Sequence, residues 1–91
     1  MQLRWSPEAA DDLVRIVERI REDNPSVAER IATFIYQRVA ALETFPNLGR
    51  PGRMEGTREL PLPPLPFVVV YRLRGEAVEI ARVLHGAQRW P

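Results

Sequence analysis

Gly49-Arg50-Pro51-Gly52-Arg53-Met54-Glu55-Gly56-Thr57-Arg58-Glu59 is the stretch at which the chain changes its hydrophobic period. Before it, apolar residues recur at helical spacing. After it they alternate or run unbroken, as strands do. Gly49, Gly52 and Gly56 let a backbone come close to a ligand, and Arg50, Arg53 and Arg58 stand within nine residues. Loops held by a rigid scaffold are where binding and catalysis concentrate. Two readings follow: a solvated linker whose arginines keep it soluble, or a binding edge that faces an anionic group.

Upstream of this loop the pattern is helical. Leu3 and Trp5 alternate with Gln2 and Arg4, as in a half-buried strand. Ser6 then caps a helix, Pro7 suits its first position, and Glu8, Asp11 and Asp12 favour its positive end. Leu13, Ile16, Val17 and Ile20 form its apolar face. Asp23-Asn24-Pro25 breaks the pattern and starts a second helix, capped by Asn24 or by Ser26 with Glu29 in a capping box. Ile31, Phe34, Ile35, Val39, Leu42 and Phe45 mark its apolar stripe, and Pro46 stops it. So short a turn predicts an antiparallel helical hairpin.

Downstream, Thr57 to Leu62 alternates, but Pro61, Pro63, Pro64 and Pro66 keep that strand short or at an edge. Phe67 to Leu73 is nearly unbroken Phe-Val-Val-Val-Tyr-Arg-Leu, a strand covered on both faces. Arg74-Gly75-Glu76 turns the chain, and Ala77 to Leu84 returns as the antiparallel partner. The sum is β-α-α-β-β-β, an α+β domain over residues 1–91 with an N-terminal helical hairpin packed on a small antiparallel sheet.

Composition narrows the function classes. The 91 residues contain no cysteine, so there is no disulfide framework and no cysteine nucleophile. His85 is the only histidine, which leaves no support for a metal site, and no cofactor motif is present. The apolar runs are too short to cross a bilayer and no signal-peptide pattern opens the chain, so a cytoplasmic location is expected. All thirteen basic residues are arginine, the side chain suited to bidentate carboxylate or phosphate contacts. Residues 1–46 hold six arginines and eight acids, whereas residues 47–91 hold seven arginines and four acids. An anionic partner is therefore expected on the second half.

Strand parity singles out Arg82. Val78, Ile80, Arg82 and Leu84 are expected on one face of the last strand, so a guanidinium interrupts an apolar row. It either reaches past the sheet edge to Glu59 or Glu79, or faces a cleft together with Arg58 and Arg72. His85 follows directly, and its ordinary pKa near 6.5 suits proton transfer. Trp90 and Pro91 either cover a core edge or stay exposed for a partner, and Tyr71 is expected in the core. If the sheet binds RNA, Arg50, Arg53 and Arg58 hold phosphates while Arg82 stabilises the charge that builds in the transition state. His85 then passes a proton to the leaving 5′ oxygen as the 2′ hydroxyl attacks, with Glu55 or Glu59 as candidate base.

The series Trp5-Ser6-Pro7-Glu8-Ala9, Asp12-Leu13, Asn24-Pro25, Phe45-Pro46, Gly49-Arg50-Pro51-Gly52-Arg53, Gly56-Thr57-Arg58-Glu59-Leu60, Pro66-Phe67, Val70-Tyr71-Arg72 and Arg82-Val83-Leu84-His85 resembles toxins of the RelE/ParE superfamily. The likeness covers essentially the whole chain in order. It implies the toxin of a type II toxin–antitoxin pair, held in a hetero-oligomer by a cognate antitoxin. For RelE-like members it implies mRNA cleavage on the ribosome, with Arg58, Arg82 and His85 catalytic and Arg50, Arg53 and Arg72 binding RNA or antitoxin. For ParE-like members it implies a non-enzymatic block of DNA gyrase. Gyrase-directed members commonly continue past the late histidine with Met-Asp, where this chain has Gly86-Ala87.

Overall fold

The computed structural model describes residues 1–86 and 88–90. Its elements are strand β1 (Gln2–Trp5), helices α1 (Pro7–Asp23) and α2 (Pro25–Ala40), a 3-10 turn (Ala41–Glu43), and strands β2 (Arg50–Pro51), β3 (Arg58–Pro61), β4 (Phe67–Arg74) and β5 (Ala77–His85). They build one five-stranded sheet in the order β1-β5-β4-β3-β2. The α+β order read from periodicity is the order observed. The two-residue β2 is an added strand, and β1 runs parallel to β5, so the sheet is mixed rather than wholly antiparallel. The parallel pairing follows from connectivity: the helical hairpin and three strands intervene between β1 and β5, which frees β1 from hairpin geometry.

Both helix starts are set by side-chain caps. Ser6 Oγ accepts from the Ala9 N–H at 3.0 Å with Pro7 next in line. Asn24 Oδ1 accepts from the Val27 N–H and from Ser26 Oγ–H, so Asn24 is the cap of α2 and Ser26 supports it. Each such cap contributes about 1 kcal/mol. Ala9, Leu13 and Val17 from α1 and Ala28, Ile35 and Val39 from α2 pack on Leu60, Leu62, Val69, Tyr71, Val78, Ile80 and Val83 of the sheet side. Fully buried side chains such as Ile35 and Leu42 contribute about 1.5–3 kcal/mol each through loss of water contact.

Two expectations are corrected. Phe45 does not extend the apolar stripe of α2; it is 61% exposed. The helix tightens into the 3-10 turn at Ala41, which changes the angle per residue and rotates Phe45 outward. The parity of β5 also breaks. Tyr71 pairs with Ile80 and Val70 pairs with Arg82, so Ala81 is an extra residue in a β-bulge. Val83, not Arg82, therefore joins Val78 and Ile80 on the helix side. Leu84 clusters with Val70 and Ala81 on the outer face, where Trp90 packs against them. Arg82 thus leaves the apolar row altogether. Pro91 lies outside the described residues.

Candidate functional site

The arginine loop is held by three side chains rather than left in solvent. Buried Tyr71 on β4 accepts the Gly49 N–H at its Oη (2.8 Å) and donates to the Pro46 carbonyl (2.7 Å). Burial pushes its phenol above the ordinary value, partly offset by the Gly49 N–H and the nearby Arg58 charge. A Cβ on Gly49 would lie 2.7 Å from Tyr71 Cε1, so only glycine fits against the ring. Arg58 Nη1 donates to the Gly49 carbonyl at 2.6 Å and to the Asn47 carbonyl at 3.4 Å. Glu59 is 3% exposed and accepts the Arg53 N–H at 3.0 Å. Its carboxylate also lies 3.8 Å from Arg50 and 3.5 Å from Arg53. The structure therefore gathers Arg50 and Arg53 around one buried acid.

At the opposite edge, β1 stops at Trp5 and leaves the end of β5 paired with β4 alone, open on its other side. Side chains of the α1 start take its place. Ser6 Oγ donates to the Ala81 carbonyl at 2.9 Å, and Asp12 Oδ2 accepts the Val83 N–H at 2.9 Å. Asp12 also takes Arg82 in a bidentate pair, 2.7 Å to Nε and 3.0 Å to Nη2. The expected partners of Arg82, Glu59 and Glu79, are taken by other arginines, and Asp12 holds it instead. The hydrogen bonds to Asp12 hold the Arg82 guanidinium above its ordinary pKa despite an opposing cost of burial. Arg72 lies directly across from Glu79 and pairs with it at 3.2 Å.

His85 ends β5, exposed, with its ring edge-on to Phe67 at 6.1 Å. Its backbone N–H donates to Gln88 Oε1, and its backbone carbonyl accepts the Gln88 N–H at 2.8 Å. A cleft of about 260 Å³ brings Arg82 and His85 together with Asp12, Arg15, Phe67 and Gln88. Arg58 does not join them. Its guanidinium is turned to the loop at the far side of the sheet, with β4 standing between β3 and β5. Glu55 is exposed at the loop tip. Among the described residues, no group of three or more His, Cys, Asp and Glu gathers as a metal site.

Near the start of α1, Asp12 reads in the sequence as a helix-dipole acid. A sharper signal was present: Asp12 lies three residues after Ala9 and four before Ile16, on the apolar face of α1. An acid on a buried stripe requires a cation or donors opposite it. Glu59 carried a weaker signal, since its strand parity did not tell which face was covered.

Residues 3–90 match the family model described as the ParE toxin of the type II toxin–antitoxin system parDE. A curated relative from Sinorhizobium fredii (strain NBRC 101917 / NGR234), named "Putative toxin Y4kP", is 40% identical over 90 residues, covering 99% of this chain and 93% of its own length. The fold is also similar to a solved chain titled "Chromosomal ParDE TA system from P. aeruginosa", with a TM-score of 0.86 and 30% identity. That match covers 93% of this chain and 95% of the other. The chain belongs to the family of ParE toxins of type II toxin–antitoxin systems.

Proposed function

We propose that this ParE-family toxin arrests growth in the cytoplasm by binding DNA gyrase as a non-enzymatic poison, and that a cognate antitoxin neutralises it in a hetero-oligomer. The observation that carries this reading is the divergence of the candidate catalytic cations. Arg58 is committed to the Asn47 and Gly49 carbonyls, and Arg82 to Asp12 at the other sheet edge. Charge stabilisation in a transition state requires donors that converge on one reacting group. Membership in the ParE family adds to this reading.

Ribosome-dependent mRNA cleavage is the second reading, and one observation favours it: Arg82, His85 and Arg15 line a single cleft. There Arg82 would face developing phosphate charge and His85 would supply the proton. Induction of the chain without antitoxin separates the two. Gyrase poisoning predicts an induced DNA-damage response and cleaved supercoiled DNA in a purified gyrase assay, with protein synthesis falling late. Early translation arrest with codon-positioned mRNA cuts would establish the nuclease instead. Growth that continues unchanged would rule out both.

A further inference from the structure

Both helices pack on one face of the sheet, against Tyr71, Val78 and Ile80 among others. Strand register shows what the other face carries, because residues paired across a sheet point to the same side and sides alternate along each strand. One outward row is Arg4–Glu79–Arg72, across β1, β5 and β4. A second is Arg50–Glu59–Val70, across β2, β3 and β4. Arg53 joins the second row through its ion pair with Glu59, and Arg74 lies two residues beyond Arg72 on the same side. Val70, Ala81 and Leu84, the apolar part of this face, are already buried, with Trp90 packed against them.

The exposed remainder is mostly guanidinium. Arg4, Arg50, Arg53 and Arg74 are exposed and Arg72 is half-buried, so most of their donors face water. The acids between them lie deeper: the Glu59 side chain is 3% exposed and that of Glu79 31%. The ion pairs of Glu59, 3.8 Å to Arg50 and 3.5 Å to Arg53, are longer than charge-assisted hydrogen bonds and leave most of each five-donor fork unspent. Arg82, at the rim, is answered by Asp12 and the nearby charge of Glu8. Five arginines set against Glu59 and Glu79 therefore make this face positive, although the whole chain carries only +1.

Charge complementarity calls for an acidic partner. A nucleic-acid backbone, all of one sign, would meet Glu59 and Glu79 between the arginines, and a pI of about 8.4 is mild for such a ligand. A protein surface mixes carboxylates with hydrogen-bond donors and so matches a face whose rows alternate in sign. The scaffold is also preformed: five paired strands fix the rows, and Tyr71 and Glu59 hold the loop that carries Arg50 and Arg53. A face that needs no ordering suits a folded partner surface. We infer that this outer sheet face is where the toxin grips its target, with Arg4, Arg50, Arg53, Arg72 and Arg74 meeting an acidic surface of folded gyrase. This rests on the gyrase reading, to which it adds the contact face and its chemistry.

The test uses the full chain, purified gyrase and supercoiled DNA. Arg4→Gln with Arg74→Gln, and separately Arg50→Gln with Arg53→Gln, remove two charges from different parts of the face. Arg19→Gln with Arg30→Gln removes the same charge from exposed positions of the helical hairpin, as control. Circular dichroism checks that each chain folds, and the two face pairs are independent should one of them fail to fold. Each face pair should raise the toxin concentration needed for DNA cleavage about tenfold, and the control less than about twofold. The parent should also be retained by immobilised gyrase without DNA, and less so as salt rises. Loss in either folded face pair, with the control intact, supports the contact face. Cleavage unchanged in both face pairs, or lowered as much in the control, overturns it. Retention by the DNA alone would make nucleic acid the occupant and overturns it too. Antitoxin retention lost in face pairs that still cleave would assign the face to the antitoxin instead. A parent chain that gives no cleavage at all sinks the gyrase reading, an outcome distinct from each of these.

Discussion

Asp12 and Arg82 meet across seventy residues of chain in a bidentate pair, and the same carboxylate closes the open edge of β5 at Val83. This one side chain stands where a further residue of β1 would have paired. Removing it leaves a half-buried guanidinium and a strand N–H without partners. Asp12→Ala is expected to lower unfolding free energy by about 2–4 kcal/mol, below the upper range for buried pairs because Arg82 keeps some contact with water. Asp12→Asn, which still accepts from Val83, should lose about half as much. Urea unfolding of the two variants checks the order, and an unchanged midpoint in Asp12→Ala would remove Asp12 from the account of the edge.

Gly49 tests whether the arginine loop is a fixed surface. Its missing Cβ leaves room for the Tyr71 ring, with Tyr71 Oη 2.9 Å and the Glu59 carbonyl 3.0 Å from where that atom would be. Two of these neighbours are backbone or a fully buried ring, so neither gives way cheaply. Gly49→Ala is expected to cost about 2–3 kcal/mol through overpacking. A linker free in solvent would tolerate the change, and a melting temperature within a degree of the parent would support the linker.

The helical hairpin, the antiparallel pairing of β4 with β5 and the core location of Tyr71 were legible because each rests on local signals: caps, periodicity and turn residues. What the sequence hid was the bulge at Ala81. One extra residue reverses every side chain after it, and no residue type near Ala81 announces it. Arg82 was therefore singled out for the right reason, an unmatched charge near an apolar row, but assigned to the wrong face. The glycines and arginines of residues 49–59 were visible as a cluster. That Tyr71, Arg58 and buried Glu59 fix the loop was not visible, because those contacts join elements far apart in sequence.

Tyr71 gives the protein an alkaline limit. Its phenol ionises at higher pH in the folded chain than its ordinary value of 10.0, burial being the main cause. As pH rises past that ordinary value, the unfolded chain releases this proton first, so unfolding gains free energy and stability falls. Below it both states keep the proton and the residue adds no pH dependence. Stability should therefore be flat in this respect at neutral pH and decline through the alkaline range. Tyr71→Phe should reduce that slope while costing about 1–3 kcal/mol at neutral pH, since the Gly49 N–H and Pro46 carbonyl lose their partner. Parallel alkaline slopes in parent and variant would assign the limit to another group.

Glu59 controls how much positive charge the loop presents. Its carboxylate sits within 4 Å of Arg50 and Arg53, whose side chains are 63% and 50% exposed. Glu59→Gln keeps an oxygen for the Arg53 N–H and removes the counter-charge, so both guanidinium groups are released toward solvent. The stability cost should be small, about 1 kcal/mol, because exposed arginines are well screened. The binding effect should be larger. The variant should elute from heparin at higher salt than the parent, with a steeper salt dependence for single-stranded RNA by about one phosphate contact. Such a gain would show that the buried acid holds the arginine edge below its capacity for polyanions, in keeping with the proposed action on protein rather than RNA. Identical elution would mean that Glu59 does not set the charge of this edge, and the loop's ligand would have to be sought through Arg58 and its backbone instead.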